Sequence, residues 1–129
     1  MGYQDRTSVS ELLGKTLTQI NVNEHKDEIT FITSDGDKYR MLHDQDCCES
    51  VAVDDIDGDL ADLIGAPLTQ AEEAVSENEN PEGLVKDYQD SFTWTFYKFA
   101  TVKGYVTIRW YGESNGYYSE SVEFEKVND

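Results

Sequence analysis

Basic residues are scarce in this sequence. Its 129 residues include 10 lysines and arginines against 27 aspartates and glutamates, which gives a formal net charge of −17 at pH 7. Nucleic-acid phosphates and anionic membranes bind to basic surfaces, so this charge excludes both as direct partners. It favours a basic protein partner or a cation, or else it only keeps the chain soluble. The segment from Asp44 to Asp90 carries 14 of the 17 net negative charges.

Cysteines and long apolar runs are also scarce. The two cysteines, Cys47 and Cys48, are adjacent, which excludes an ordinary disulfide framework and suits a reducing compartment. No apolar run approaches the length of a membrane span, and residues 1–6 lack the apolar stretch of a signal peptide. We therefore predict a cytoplasmic protein in which both thiols are reduced.

Aromatic residues are plentiful by contrast, at 12% of the chain, and each can bury a large apolar area. This content and length predict a single acidic domain over residues 1–129. The predicted fold class is α+β, an antiparallel β-meander sheet with one or two short helices packed on it. Apolar patterns that end at glycine predict helices over 8–13 and 59–65. Polar residues with Pro81 predict a mobile loop over 76–83.

A hairpin is predicted around the turn signal Ser34–Asp37. Two registers compete, and the one that gives a single apolar face pairs Phe31 with Met41 and Ile29 with His43. His43 would then stand at the end of a buried stripe. The preceding segment 16–23 and the short run 51–53 are also predicted strands.

The last third of the chain predicts three more strands, over 92–99, 105–111 and 117–126, in a meander. Alternate residues of the second and third strands form one apolar face and one polar-aromatic face. The apolar set is Val106, Ile108, Trp110, Val122 and Phe124. In the first strand the apolar parity changes after Phe96, which predicts either a β-bulge or burial of both faces.

The densest group of reactive side chains is the segment His43–Glu49. Imidazole and thiolate are zinc ligands, so His43, Cys47 and Cys48 form a candidate metal site. Adjacent cysteines seldom hold one ion together, and a buried thiol beside a core-edge histidine explains the same residues. We predict this second reading, with no metal and no other cofactor. The surrounding carboxylates disfavour a reactive thiolate, and no catalytic motif is present, so no enzymatic activity is predicted.

Aspartates dominate the segment 54–62. A carboxylate surface can occupy a groove built for nucleic-acid phosphates, because it offers the same charge to the same lysines and arginines. The predicted partner-binding residues are Asp54, Asp55, Asp57, Asp59 and Asp62. A solvated acidic face with no partner explains the same residues.

A second candidate binding site lies near the end of the chain. Glycine and asparagine permit a tight turn there, and tyrosines offer stacking surface and hydrogen bonds. Arg109 supplies the cation that an anionic ligand would need, unless it packs against its neighbours on the strand. The predicted ligand-binding residues are Arg109, Tyr111, Asn115, Gly116, Tyr117 and Tyr118. A hairpin loop with one tyrosine buried and one exposed is the alternative.

Several motifs are distinctive, among them His43, Gln45–Glu49, Gly58–Leu60, Asp62–Gly65, Ala71–Glu73, Thr93–Tyr97, Arg109–Gly112 and Ser114–Ser119. With these motifs the chain resembles an uncharacterised family of small phage and bacterial proteins, over most of its length from about residue 11. The resemblance implies a phage or prophage context. It supplies no established activity, so no residue roles are carried over.

The sequence therefore predicts a non-enzymatic phage or prophage accessory protein that acts in the host cytoplasm. It would bind and inhibit a host component with a basic surface, such as a defence factor, through its acidic surface. A domain that sequesters a small molecule or nucleotide is the alternative, and a metal-supported domain of unknown role is a second one. The oligomeric state is left open.

Overall fold

The computed structural model describes residues 3–45, 47–80, 91–116 and 118–128, and in these ranges the chain forms nine strands and two single turns of 3₁₀-helix. The strands are β1 (Tyr3–Arg6), β2 (Leu17–Val22), β3 (Glu28–Thr33), β4 (Lys38–Leu42), β5 (Ser50–Asp57), β6 (Gln70–Glu77), β7 (Ser91–Thr101), β8 (Gly104–Ser114) and β9 (Glu123–Asn128). All pairs of neighbouring strands are antiparallel.

The strands form two sheets that pack face to face. Sheet 1 has the order β1-β9-β4-β3-β2, and sheet 2 has the order β5-β8-β7-β6. The rings of Phe31 in sheet 1 and Phe99 in sheet 2 have centroids 5.8 Å apart. The indole N–H of Trp110 in sheet 2 donates to the sulfur of Met41 in sheet 1 at 3.2 Å. The hydrophobic core therefore lies between the sheets, as in a β-sandwich.

The predicted α+β class is wrong, because neither predicted helix exceeds one turn. The two 3₁₀ turns, Val9–Leu12 and Leu60–Leu63, lie where the helices were predicted. Both turns are capped, since the side chains of Ser8 and Asp59 each accept a backbone N–H two residues further on. Segments this short cannot sustain an isolated helix, and here they serve as connections at the ends of the sandwich.

The hairpin of β3 and β4 has a different register from the predicted one. Phe31 pairs with Tyr39 and Ile29 pairs with Met41, so the predicted pairing is wrong by two residues. The side-chain period of a strand is also two residues, and the same face is therefore buried. His43 follows β4 at the end of this buried stripe, with 9% of its surface exposed.

The predicted C-terminal meander is only half present. β7 and β8 pair with each other, but β9 crosses to sheet 1 and pairs with β4 and β1. The side chains of Val106 and Phe124 nevertheless meet in one core, because they face each other across the sandwich. The core assignment from the sequence was correct, and the assignment of these residues to a single sheet was wrong.

Strand β7 is buried on both faces. Its pairing with β8 is regular throughout, so there is no bulge. Trp94 on the outer face and Tyr97 on the inner face are both fully buried. Burial of both faces therefore explains the change of parity. Of the predicted mobile loop, residues 76 and 77 belong to β6, and 81–83 lie outside the described residues.

Candidate functional site

Strand β5 presents three of the predicted partner-binding aspartates to solvent. It forms one edge of sheet 2. A shift of register between Val53 and Asp55 inserts one extra residue, Asp54. This bulge lets Val53 and Ile56 align with core residues of β8, although they are three positions apart. Asp54, Asp55 and Asp57 are exposed as a result, and we call these three residues the acidic edge.

Arg109 is engaged by its neighbours on the outer face of sheet 2. Its Nε and Nη2 donate to Oδ2 of Asp54 at 2.9 and 2.6 Å. Its guanidinium carbon lies 5.0 Å from the ring centroid of Trp94, a cation–π arrangement. Arg109 therefore compensates one charge of the acidic edge and packs on the sheet.

Two further predicted partner-binding aspartates have structural roles. The side chain of Asp59 caps the second 3₁₀ turn and accepts a backbone N–H at 3.0 Å. Asp62 packs so closely on Gly104 that a Cβ there would lie 2.8 Å from its Oδ2. Asp55 and Asp57 remain, and neither is in an ion pair with another described residue.

The structure divides the predicted ligand-binding residues. Arg109 and Tyr111 lie on the outer face of sheet 2, where the rings of Tyr111 and Trp94 have centroids 4.4 Å apart. Tyr118 instead lines a cleft on the inner face of the same sheet. The other predicted residues follow β8 and are Asn115, Gly116 and Tyr117, the last of which lies outside the described residues. The six residues therefore do not form one site.

The cleft has a volume of about 320 Å³ and opens between the inner face of β6 and β7 and the segment 118–122. Glu73, Glu77 and Glu120 contribute carboxylates to its lining, and serines and threonines of β7 and of the segment 118–122 contribute hydroxyls. No lysine or arginine is among the described residues that line it. The cleft therefore presents hydrogen-bond acceptors and negative charge.

Glu120 is the buried carboxylate of this cleft. The hydroxyl of Thr93 donates to its Oε1 at 2.7 Å, and the hydroxyl of Ser114 donates to its Oε2. The chain can pass this closely to β8 because residue 112 is glycine. A Cβ at Gly112 would lie 2.9 Å from the carbonyl oxygen of Glu120. Side-chain hydrogen bonds and backbone packing thus both hold the carboxylate in place.

A buried pair of His43 and Glu49 fixes the same segment from the other side. The ring Nδ1 of His43 lies 2.6 Å from the carbonyl oxygen of Ser121, and its Nε2 lies 2.7 Å from Oε2 of Glu49. Glu49 Oε1 accepts the backbone N–H of Cys47 at 2.9 Å. A carbonyl oxygen can only accept, so Nδ1 carries a proton and Nε2 shares a second proton with Glu49. Both ring nitrogens are therefore occupied.

The candidate metal site at His43, Cys47 and Cys48 is not assembled. The two sulfurs are bonded to each other, 2.22 Å apart, and both cysteines are exposed while His43 is buried. Within the described ranges, no group of three or more histidine, cysteine or acidic side chains is arranged to hold a metal. The prediction of two reduced thiols is wrong. Adjacency of the two cysteines excludes a disulfide between distant elements of the fold. It does not exclude a bond between Cys47 and Cys48 themselves.

Glu49, Glu120 and Thr93 were missed as functional candidates from the sequence. One signal was present. Thr93 and Thr95 have the same parity as Tyr97, which lies in the core, so polar side chains interrupt an apolar face. Such an interruption indicates that a sandwich opens at one end. No comparable signal shows which of the many acidic residues turn inward.

Two buried tyrosines have raised pKa values. Burial, together with the carboxylates of Glu11 and Asp37, raises the pKa of Tyr39 from 10.0 to about 12. Burial and the neighbouring Glu73 carboxylate raise the pKa of Tyr97 still further. The folded protein holds both protons more tightly than the unfolded chain does. Their contribution to stability is complete below about pH 10 and is lost as the pH rises toward the folded pKa.

Replacing Tyr39 by phenylalanine is therefore expected to flatten the loss of stability above about pH 10. The measurement is the free energy of unfolding in urea, determined for both proteins from neutral to strongly alkaline pH. Below about pH 10 the variant should lose little, because the Tyr39 hydroxyl has no hydrogen-bond partner among the described residues. Identical slopes above about pH 10 would contradict the assignment.

The strands, the cleft and the buried pair lie almost entirely within one region of sequence similarity. Residues 10–124 match the family model of a domain of unknown function, DUF7448. The chain belongs to this family. The prediction of an uncharacterised family is thereby confirmed. No curated protein matches the chain, and no solved structure does. In the part of the DUF7448 domain that the structure describes, neither helical turn is long and apolar enough to cross a membrane.

Proposed function

We propose that the chain is a non-enzymatic phage or prophage accessory protein that binds and inhibits a basic host protein, for which a defence factor is our preferred candidate. The binding surface is the acidic edge, above all Asp55 and Asp57. The observation that carries the proposal is the bulge of β5, which exposes both carboxylates and keeps the apolar residues of the strand in the core. Pairing with β8 fixes the backbone positions of these two carboxylates, which have no ion-pair partner among the described residues. They can therefore bind lysines and arginines of a partner without first becoming ordered.

Charge compensation elsewhere in the protein supports this choice of surface. Arg6 pairs with Asp44 at 2.9 Å and with Glu123 at 3.1 Å. Arg40 pairs with Glu125 at 3.0 Å. These arginines belong to sheet 1, whose acidic residues they partly compensate. At the acidic edge of sheet 2 the one arginine, Arg109, binds Asp54, and neither Asp55 nor Asp57 forms an ion pair with a described residue.

Sequestration of a nucleotide has less support. That function needs a cation that is free to bind phosphate. Arg109, the cation of the predicted site, makes two hydrogen bonds to Asp54 and lies over Trp94. A nucleotide would have to displace both contacts.

Replacing Asp55 and Asp57 together by asparagine is expected to weaken binding to the basic host protein by at least about tenfold, or 1.4 kcal/mol. The tagged wild-type protein is first used to isolate the partner from host lysate. The affinity of the purified partner is then measured for both proteins at low and high salt. Binding by the wild type should weaken with salt, because the interacting charges are exposed. Asp54 and Asp59 are left unchanged, since they have structural roles.

The matched control is the double variant Glu24→Gln and Asp35→Asn, which removes the same charge at exposed positions of sheet 1 loops. It should retain wild-type affinity to within about twofold. Equal weakening in both double variants would show that only net charge matters. Binding that neither the Asp55 and Asp57 variant nor salt affects would contradict the proposal outright.

A further inference from the structure

The cleft between β6, β7 and the segment 118–122 is separate from the acidic edge. β6 and β5 are the two opposite edges of sheet 2, and the cleft opens beside β6. Its binding properties therefore do not depend on the function proposed for Asp55 and Asp57. A volume of about 320 Å³ is at the lower end of the range for small-molecule sites.

The charged groups among the described lining of the cleft are all carboxylates. Thr93, which lines the cleft, directs its hydroxyl proton to Glu120, so its oxygen lone pairs are what remains for a ligand. The carboxylates of Glu73 and Glu77 can only accept when ionised. A ligand that fits this lining is rich in N–H donors and carries positive charge. The three carboxylates disfavour an anion in the same place.

A buried tyrosine, Tyr97, lies in the core beside the cleft and outside its lining. Tyr97 lies on the same face of β7 as Thr93 and Thr95 and pairs across the strands with Glu73. It is fully buried, and its hydroxyl has no hydrogen-bond partner among the described residues. The Glu73 carboxylate lies close enough to raise the pKa of this hydroxyl, so Tyr97 adds a buried polar group behind the acidic wall of the cleft.

Apolar side chains complete the cleft. Val75 of β6 lines it and is 53% exposed, and Val122 lines it from the opposite wall. An exposed valine between Glu73 and Glu77 on the same face of β6 offers a surface for methylene groups. The lining therefore suits an alkyl chain that ends in a cation, rather than a bare metal ion. The absence of a metal-ligand cluster among the described residues agrees with this chemistry.

We infer that this cleft binds an alkylammonium or alkylguanidinium group, with Glu73, Glu77 and Glu120 as the groups that recognise the cation. The same chemistry occurs in free amines and in the lysine and arginine side chains of peptides. Glu120 is held at the base of the cleft by Thr93 and Ser114. The other two carboxylates lie on exposed β6 and are accessible to an entering ligand.

Calorimetric titration tests the inference with three probes: cadaverine, a short capped peptide with a central arginine, and pentanediol as the neutral isostere of cadaverine. Binding of either cationic probe, with none of pentanediol, supports the site. Tighter binding of cadaverine assigns the site to free amines, and tighter binding of the peptide assigns it to side chains of a partner. Failure of both cationic probes to bind overturns the inference.

Variants locate the binding. Glu73→Gln with Glu77→Gln is expected to weaken binding of the cationic probe by at least about tenfold. The control, Glu24→Gln with Asp35→Asn, removes the same charge at exposed loop positions of sheet 1 and should change the affinity less than about twofold. Equal weakening in the two double variants would show that the probe is attracted by the net charge of the protein and not by the cleft, and it would overturn the inference. Both pairs are exposed, so neither variant depends on changing the buried Glu120.

Discussion

Replacing Glu49 by alanine is expected to lower the free energy of unfolding by about 3–5 kcal/mol. The Glu49 carboxylate is completely buried, and the substitution leaves His43 and the backbone N–H of Cys47 without their acceptor. Small domains have a total stability of only about 5–15 kcal/mol, so the variant should be close to unfolding at moderate temperature. Urea unfolding followed by tryptophan fluorescence measures the difference.

Glutamine at position 49 is the control, because it keeps the size and most of the hydrogen bonds of the glutamate side chain and removes only its charge. Its amide oxygen can still accept the Cys47 N–H, and its amide nitrogen can donate to Nε2 of a neutral His43. The expected loss for Glu49→Gln is about 1–2 kcal/mol. A loss below about 1 kcal/mol for the alanine variant would mean that the pair does not stabilise the fold.

The buried pair also connects two parts of the molecule that are far apart in the sequence. His43 follows β4, and its Nδ1 holds the carbonyl oxygen of Ser121 in the segment that forms one wall of the cleft. Glu120, the preceding residue in that wall, accepts hydrogen bonds from side chains of β7 and β8. The wall is therefore attached to both sheets. Loss of Glu49 should disturb the cleft as well as the stability, whereas changes at Asp55 and Asp57 should disturb neither.

The strands could be located from the sequence because alternation of apolar and polar residues follows directly from strand geometry. Alternation does not show which strand lies beside which. Val122 and Phe124 were assigned correctly to the core and incorrectly to the sheet of β8. The partner of β9 is β4, 80 or more positions away, and no local pattern indicates such a pairing.

The length of β5 illustrates a second limit. The sequence predicts a strand at Val51–Val53, because the aspartates that follow have low β-propensity. The strand continues to Asp57, because hydrogen bonds to β8 and burial of Ile56 outweigh that propensity. The sequence therefore predicted which aspartates form the acidic edge. It could not predict that they lie on a bulged strand, because the bulge forms only when β5 pairs with β8.

The candidate site was predictable in part for the same reason. His43 was placed correctly at the edge of the core by the period of its strand. Its partner Glu49 was one acidic residue among many in the segment 44–62. The composition of this segment does not show which of its carboxylates points into the core. The cleft combines β6, β7 and the segment 118–122, so it exists only after the long-range pairings have formed.

Among the glycines that the structure describes, Gly58 is the one at which substitution should be most damaging. It follows the acidic edge directly, at the end of β5, with a φ of +114° that side chains rarely adopt. A Cβ at this position would lie 2.6 Å from the carbonyl oxygen of Tyr105 and 3.1 Å from a methyl group of Val106. The carbonyl belongs to the backbone of β8 and cannot move without disturbing the sheet. The strained φ and the collision therefore add to each other.

Gly58→Ala is expected to lower the free energy of unfolding by at least about 3 kcal/mol, from about 1–2 kcal/mol for the backbone conformation and the remainder from the collision. The matched control is Gly36→Ala in the hairpin turn, where φ is +88° but no atom lies within 4 Å of the added Cβ. That variant should lose about 1–2 kcal/mol, because it has the conformational strain alone. Urea unfolding of both variants gives the comparison. Equal losses would show that the approach of β8 to Gly58 is looser than the structure indicates. A larger loss for Gly58→Ala would show that β8 packs closely against the chain at the end of β5. This close packing then determines the direction of the chain after the acidic edge.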